Sequence, residues 1–178
     1  MALTLDKRRR DRSDGFDKGG WAAPYYQDVM ATVQREAMAT PCDFLFCRRA
    51  YESFAAHWFK VDESLVTARM NAARKNVVSD GAPELRWRNP HLVTGDVQAG
   101  IAALKAQVGP SFQVHGGATL VQTLLADDLI DKFRLWIFPV VVGAGKRVFE
   151  GGTAQRSLKP KKCETSGNGV VMSIYEKR

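Results

Sequence analysis

The sequence contains few cysteines and no long apolar segment. Its three cysteines, Cys42, Cys47 and Cys163, form no CxxC pair and have no cysteine or histidine spacing typical of a zinc site. The sequence therefore indicates no disulfide framework and no metal site, which fits a reducing cytoplasm. No apolar run approaches the ~18 residues that a membrane span requires, and no apolar signal region follows the basic N-terminal residues. We therefore expect a cytoplasmic protein that is neither secreted nor inserted in a membrane.

Several catalytic signatures are also absent. The sequence has no HExxH, no GxSxG and no HxE with PCxxC, the patterns of zinc peptidases, serine hydrolases and zinc deaminases. GAGKRV at 143–148 is similar to a phosphate loop, but it matches neither the Walker pattern nor GxGxxG, which requires glycine at Val148. These absences argue against a hydrolase and a deaminase.

Basic residues outnumber acidic ones, and the formal net charge is +7. Such a charge favours anionic partners, which include nucleic acids, membrane headgroups and phosphorylated small molecules. Part of the excess lies in KRRRDR at 7–12, where a solvated loop is the simpler interpretation. Nucleic-acid binding through this segment is a further alternative that we rank last, because no interleaved aromatic residues or known binding module accompany it.

Strand-like and helix-like patterns alternate along most of the chain. Its 178 residues suffice for one domain with a full core. Predicted strands lie at 1–6, 43–47, 75–79, 112–115, 133–142 and 169–176. Predicted helices lie at 25–37, 49–59, 97–108, after a candidate N-cap at Asp96, and 120–125. This order predicts a single α/β domain over residues 1–178, with a mainly parallel sheet, helices on both faces and antiparallel strands added last.

One predicted strand ends in a pair of glycines at the start of a helix. In an open α/β sheet, ligands bind at the carboxyl ends of the strands, and here the strand ends at His115-Gly116-Gly117. Free amides at a helix N-terminus suit a phosphate that can approach closely where side chains are absent, and the Thr119 hydroxyl could cap the helix or bind the anion. A tight turn without a ligand explains the glycines equally well. A single histidine such as His115 is more often structural than catalytic.

A second strand-to-helix turn, CRRAY at 47–51, carries two arginines at the helix start. Cations there are unfavourable to the helix macrodipole unless an anion or an acidic group neutralises them. Bidentate binding of a phosphate by Arg48 and Arg49 would supply that anion. Solvent exposure with screening is the alternative.

Taken together, seven segments resemble a known family. They are LTLD at 3–6, GGWAAPY at 19–25, CDFLFCRRAYESFAAHW at 42–58, KNVVS at 75–79, VHGGATLVQTLLADDLID at 114–131, FPVVVGAGKRVF at 138–149 and GNGVVMSIYE at 167–176. The sequence resembles the bacterial dihydrofolate-reductase-like proteins, which share the C-terminal reductase domain of the bifunctional riboflavin-biosynthesis deaminase/reductase. This resemblance implies a three-layer α/β/α fold, often a homodimer, that binds NADPH across the strand ends. The riboflavin member transfers hydride to a small-molecule substrate, 5-amino-6-(5-phosphoribosylamino)uracil, and reduces its ribosyl group to ribityl.

The resemblance also implies site residues. The residues that correspond to the family's cofactor-phosphate-binding turn are Cys47, Arg48, Arg49 and Ala50. Ser79 and Asp80 correspond to the positions near the adenosine phosphate. The turn at the pyrophosphate comprises Gly116, Gly117, Ala118, Thr119 and Leu120. The segment beside the nicotinamide and substrate falls on Leu5, Asp6 and Lys7. Asp6 is then the candidate catalytic acid, as a proton source or a substrate anchor.

Four of these positions differ from the family pattern. Cys47 and Lys7 replace glycines, Ala50 replaces a threonine, and Asp80 replaces an arginine. Each change weakens NADPH binding through steric hindrance, loss of a hydroxyl donor or an unfavourable charge. These differences motivate a second hypothesis, a non-catalytic protein that keeps the fold and binds another anionic ligand.

Two aromatic residues, Trp21 and Tyr51, are candidates to pack against the substrate ring. Both are equally well explained as core residues.

Overall fold

The computed structural model describes residues 2–4, 21–25, 36–58, 64–115, 117–143, 148–149 and 155–178. The strands in these segments are β1 (Ala2–Thr4), β2 (Cys42–Cys47), β3 (Lys75–Val78), β4 (Pro90–Val93), β5 (Ser111–His115), β6 (Lys132–Ile137), β7 (Leu158–Thr165) and β8 (Val171–Lys177). The helices are α1 (Arg48–Trp58), α2 (Leu65–Ala72), α3 (Val97–Ala106) and α4 (Ala118–Ala126), with a 3-10 helix at Ala23–Tyr25. No helix in these segments has both the length and the apolar character needed to cross a membrane. Most of the predicted helix at 25–37 lies outside the described residues.

The described strands form one sheet in the order β4-β3-β2-β5-β1-β6-β8-β7. Strands β1 to β6 pair in parallel with one another, whereas β8 pairs antiparallel with both β6 and β7. Parallel neighbours require a crossover between them. Helices lie in the connections from β2 to β3, from β4 to β5 and from β5 to β6, whereas the connection from β3 to β4 at 79–89 contains no helix. The predicted sheet, mainly parallel with antiparallel strands at its C-terminal end, is therefore confirmed.

One face of the sheet packs against α3 and α4. Leu45 of β2 and Val114 of β5 are paired in register. They belong to one cluster with Ile101 of α3 and Leu124 of α4, and each of the four side chains is at most 1% exposed. Burial of a side chain of this size is worth roughly 1.5–3 kcal/mol, so this contact holds both helices against the sheet.

The opposite face packs against α1 and α2. Side chains alternate between faces along a strand, so Phe44 and Phe46 lie on the face opposite Leu45, with ring centroids 5.5 Å apart. They share a buried cluster with Tyr51 of α1 and Met70 of α2. Helices thus cover both faces of the sheet, and the three-layer α/β/α fold implied by the family resemblance is confirmed.

The strand predicted at 133–142 is shorter than expected and ends at Ile137. Two residues later stands Pro139, which has no amide hydrogen for a strand ladder. The amide of Val140 instead donates to the carbonyl of Phe138 at 2.8 Å, which closes a tight turn. The chain therefore leaves the sheet at the carboxyl end of β6.

Three elements of the fold have no counterpart among the predicted elements: α2, β4 and β7. Helix α2 fully buries only Thr67 and Met70, so its sequence has no apolar stripe. Strand β7 is an edge strand with six exposed residues among its eight. Lysines on such an edge discourage pairing with other chains, and they also remove the apolar alternation by which a strand is recognised.

Candidate functional site

The two predicted turns lie side by side at the carboxyl edge of the sheet. Strands β2 and β5 are parallel neighbours, with Leu45 paired to Val114. The last residue of β2 is Cys47, and α1 follows it directly. Two residues separate His115, the last residue of β5, from the start of α4 at Ala118. Two helix N-termini therefore flank a single gap between neighbouring strands.

Helix α4 begins without a side-chain cap. Its N-cap is Gly117, in the left-handed region with φ of 81° and ψ of 79°, and no side chain caps the helix there. The first backbone hydrogen bond of the helix runs from the amide of Val121 to the carbonyl of Gly117, at 2.9 Å. The amides before Val121 have no partner within the helix and carry the positive end of its macrodipole. This helix start has the chemistry of an anion site.

Contact with Cys47 explains why residue 117 is a glycine. A Cβ atom on Gly117 would lie 2.8 Å from the Sγ atom of Cys47 and 3.3 Å from its Cβ atom, closer than such atoms normally approach. Cys47, which is partly buried, thus fills the space beside the Gly117 Cα atom. The turns touch each other, and the cysteine narrows the gap between them.

The start of α1 presents two exposed arginines. The Nε atom of Arg48 lies 3.4 Å from the Oε1 atom of Glu52, one turn along the helix, and both side chains are more than half exposed. No ion pair joins Arg49 to any residue that the structure describes. Exposed pairs such as Arg48–Glu52 are worth at most about 1 kcal/mol, so both guanidinium groups are available to an anion.

The turn after β3 adjoins the start of α1. Val78, the last residue of β3, is paired with Cys47. Beyond it, the amide of Ser79 donates to the carbonyl of Val93 at 3.2 Å, and the hydroxyl of Ser79 accepts from the amide of Gly81 at 3.3 Å. Asp80 between them is exposed and forms no ion pair with the described part of the chain. A carboxylate thus stands at the carboxyl edge of the sheet, in the turn next to the start of α1.

His115 lies under the glycine turn on the face of α1 and α2. Its Nε2 atom is 3.2 Å from the Oε1 atom of Gln113, and its ring contacts Phe44 and Phe54 edge-on, with centroids 5.4 and 5.6 Å apart. Gln113 is itself buried and donates to the carbonyl of Ala37 at 2.6 Å. These contacts support the structural interpretation of His115.

An aromatic cluster lies at the carboxyl end of β6. Phe138 packs edge-on against Trp21 and Tyr25, with ring centroids 5.2 and 5.9 Å away. The buried Val170 belongs to the same cluster. The predicted substrate contact Trp21 therefore lies at the same edge of the sheet as the two turns. Sequence patterns do not single out Phe138 or Tyr25 as site residues, since they place Phe138 inside a predicted strand and Tyr25 at the start of a predicted helix.

The prediction of a substrate contact at Tyr51 needs correction. Tyr51 is 1% exposed. Its hydroxyl accepts from the amide of Trp87 at 2.7 Å and donates to the carbonyl of the same residue at 3.3 Å. Burial raises the pKa of Tyr51 above its ordinary value, and the hydrogen bond to the Trp87 backbone opposes that rise. Tyr51 is a core residue that ties α1 to the segment before β4, and a ligand cannot reach it.

The other predicted cofactor residues have different exposures. Thr119 is exposed and Ala118 is partly buried. The Leu120 side chain is in the core, so only the backbone of Leu120 could bind a ligand. Ala50 packs against the core on the α1 face. Gly116, Leu5, Asp6 and Lys7 lie outside the described residues. Within the described segments no group of three His, Cys, Asp or Glu side chains could hold a metal ion.

Comparison with protein families agrees with the resemblance drawn from the segments. Residues 26–172 match the RibD C-terminal domain. The chain belongs to this family. The match covers both turns and the strands β2 and β5 that carry them, whereas Trp21 and Tyr25 precede it.

Two relatives from Bacillus subtilis (strain 168) match shorter stretches. The chain is 39% identical over 72 residues to the uncharacterized protein YyaP, covering 40% of this chain and 38% of YyaP. It is 30% identical over 97 residues to the uncharacterized protein YwjB, covering 53% of this chain and 55% of YwjB. The aligned stretches thus span between about two fifths and just over half of these curated relatives.

Two solved structures share the fold. A Shewanella sp. PV-4 protein named for riboflavin biosynthesis superposes with a TM-score of 0.63 at 19% identity, over 86% of this chain and 81% of that one. A pyrimidine reductase-like protein from Corynebacterium diphtheriae superposes with a TM-score of 0.65 at 11% identity, over 99% of this chain and 90% of that one. At these identities the likeness shows the fold alone.

Proposed function

We propose that this member of the RibD C-terminal domain family is an oxidoreductase that uses a nicotinamide dinucleotide, with NADPH implied by the family resemblance, to reduce a small substrate by hydride transfer. One observation carries the proposal. The uncapped, glycine-lined start of α4 and the arginine-bearing start of α1 flank one gap between β2 and β5. Such a gap suits a group that carries two linked phosphates.

The chemistry of the two turns fits a pyrophosphate. Hydrogen bonds from amides to a charged acceptor are worth about 1.5–3 kcal/mol each, and a helix N-terminus adds roughly 0.3–1 kcal/mol for a nearby anion. The amides at the start of α4 would supply the hydrogen bonds, and Arg49 would supply an uncommitted guanidinium from the opposite side. The absent side chain of Gly117 lets the phosphates approach the backbone.

The remaining residues of the site would orient the substrate and exclude water. When bound, the dinucleotide supplies the hydride, and the protein supplies orientation and electrostatics. Trp21 and Phe138 at the end of β6 would cover one side of the reacting rings. Asp6, which follows β1 and lies outside the described residues, is proposed as the proton source or substrate anchor.

We propose a heterocyclic or phosphorylated compound as the substrate. The resemblance implies a compound similar to 5-amino-6-(5-phosphoribosylamino)uracil, and the names of the two structural neighbours, one for riboflavin biosynthesis and one as pyrimidine reductase-like, point in the same direction. We also propose that the protein is a homodimer, as the family resemblance implies.

A second candidate function is a non-catalytic protein that binds another anionic ligand. The contact between Cys47 and Gly117 favours this candidate, because it fills part of the gap that a pyrophosphate would enter. A small anion could bind the start of α4 without passing the cysteine. The two candidates therefore differ in whether a whole dinucleotide binds.

Isothermal titration calorimetry with NADPH and NADH separates these candidates. Saturable binding in the micromolar range supports the reductase, and absence of binding up to millimolar concentration would refute it. The variant Arg49→Gln should weaken binding about tenfold or more, which corresponds to about 1.4 kcal/mol. The control Lys159→Gln removes another exposed positive charge, on β7, and should leave affinity unchanged at constant salt concentration.

A further inference from the structure

We infer that Asp80 makes the site prefer NADH, with its free ribose 2′-hydroxyl, over NADPH. This inference rests on the proposed function, because it concerns which nicotinamide dinucleotide that site accepts. It also departs from the cofactor that the family resemblance implies.

The order of the strands fixes which half of a dinucleotide meets Asp80. With the pyrophosphate between the starts of α1 and α4, one half extends over β1 and β6 and the other over β3. The cluster of Trp21, Tyr25 and Phe138 lies at the end of β6. Because hydride transfer needs a site shielded from water, the nicotinamide belongs on that side. The adenosine half then lies over β3.

The turn after β3 has room for a ribose. Neighbouring strands lie about 4.8 Å apart, so this turn is one strand spacing from the start of α1. A Cβ atom built on Gly81 would meet no atom within 4 Å, so the surface beside Asp80 is open. The hydroxyl of Ser79 already accepts a hydrogen bond from Gly81 within the turn. Asp80, which is exposed, is therefore the acidic residue of the turn next to this space.

The carboxylate of Asp80 discriminates between NADH and NADPH through its negative charge. An ionised carboxylate accepts hydrogen bonds and donates none, so it suits the two hydroxyls of an unmodified ribose. In other α/β dinucleotide sites an acidic residue holds the ribose 2′-hydroxyl, whereas an arginine accommodates a 2′-phosphate. A phosphate monoester carries a charge of about −1.5 to −2 near neutral pH. At roughly 6 Å in a partly solvated site, its repulsion by Asp80 corresponds to about tenfold in affinity.

The nearby arginines do not remove this discrimination. Arg48 and Arg49 both lie at the start of α1, beside the gap that would hold the pyrophosphate, so that anion would engage them. No ion pair joins Asp80 to either arginine in the described structure, so its charge is not neutralised there. The turn after β3 contains no basic residue of its own, since it reads Ser79-Asp80-Gly81.

Calorimetric titration with NADH and NADPH, and with ADP-ribose and its 2′-phosphate, tests this inference without relying on turnover. The wild-type protein should bind each unphosphorylated ligand about tenfold tighter than its 2′-phosphorylated partner. Asp80→Asn should bring this ratio close to one, mainly by strengthening NADPH binding. The control Glu84→Gln removes an exposed carboxylate from the same loop and should leave the ratio unchanged.

Two other results would overturn the inference in distinguishable ways. In the first, both dinucleotides bind with no preference for NADH, and Asp80→Asn does not change their affinity ratio. That result would refute the role of Asp80 but not the proposed reductase function. Failure of all four ligands to bind would refute the proposed function, and the inference with it.

Discussion

The contact between Gly117 and Cys47 predicts a strong, local cost for adding one methyl group. In Gly117→Ala the new alanine must keep the left-handed backbone conformation of residue 117, and its Cβ atom would lie 2.8 Å from the Cys47 Sγ atom. Left-handed backbone costs an L-residue about 1–2 kcal/mol, and overpacking typically costs about 1–3 kcal/mol. We therefore expect the free energy of unfolding to fall by about 2–5 kcal/mol.

A double-mutant cycle separates these two contributions. Cys47→Gly removes the side chain that the new methyl group would meet, so Gly117→Ala in that background should cost only the backbone contribution of about 1–2 kcal/mol. Urea denaturation followed by tryptophan fluorescence measures all four proteins. The control Gly167→Ala, where the added atom meets nothing within 4 Å and φ is not left-handed, should change stability little. Equal costs of Gly117→Ala in both backgrounds would show that the turns do not touch.

Three further predictions concern the core and the helix ends. Burial lowers the pKa of Lys75 from 10.5 to about 8, so between pH 8 and 10.5 the unfolded chain binds more protons. Stability should therefore rise through that window by up to roughly 3 kcal/mol, and Lys75→Met should abolish the rise in urea titrations at pH 7.5 and 10. Tyr51→Phe leaves the buried Trp87 amide without its acceptor and should cost about 1–3 kcal/mol; a loss within error in chemical denaturation would contradict the hydrogen bond. Asp96→Ala removes the N-cap of α3, whose carboxylate accepts from the Ala99 amide at 3.0 Å. It should cost about 1 kcal/mol, whereas Asp96→Asn should cost much less by the same measurement.

Local sequence patterns predict the two turns because each consists of consecutive residues. The change from strand to helix period at Cys47 and the glycine pair before α4 can both be read within ten residues. The candidate N-cap at Asp96 is confirmed for the same reason: an N-cap side chain bonds an amide only two or three positions away.

The contacts between distant segments cannot be read in this way. Nothing near Gly117 in the sequence indicates that Cys47 fills the space beside it, since this depends on β2 and β5 being neighbours in the sheet. The burial of Tyr51 depends likewise on Trp87, 36 positions away along the chain. An apolar helix position is compatible with either a core residue or a ligand contact until the opposite partner is known.

The most direct test of the proposed site is a crystal structure of the protein with bound NADH or NADPH. We predict pyrophosphate oxygens at about 2.7–3.2 Å from the backbone amides at the start of α4, with the Arg49 guanidinium on the opposite side. The proposal would be contradicted by a dinucleotide bound elsewhere. It would also be contradicted if, at saturating ligand concentration, Cys47 still closed the gap against Gly117.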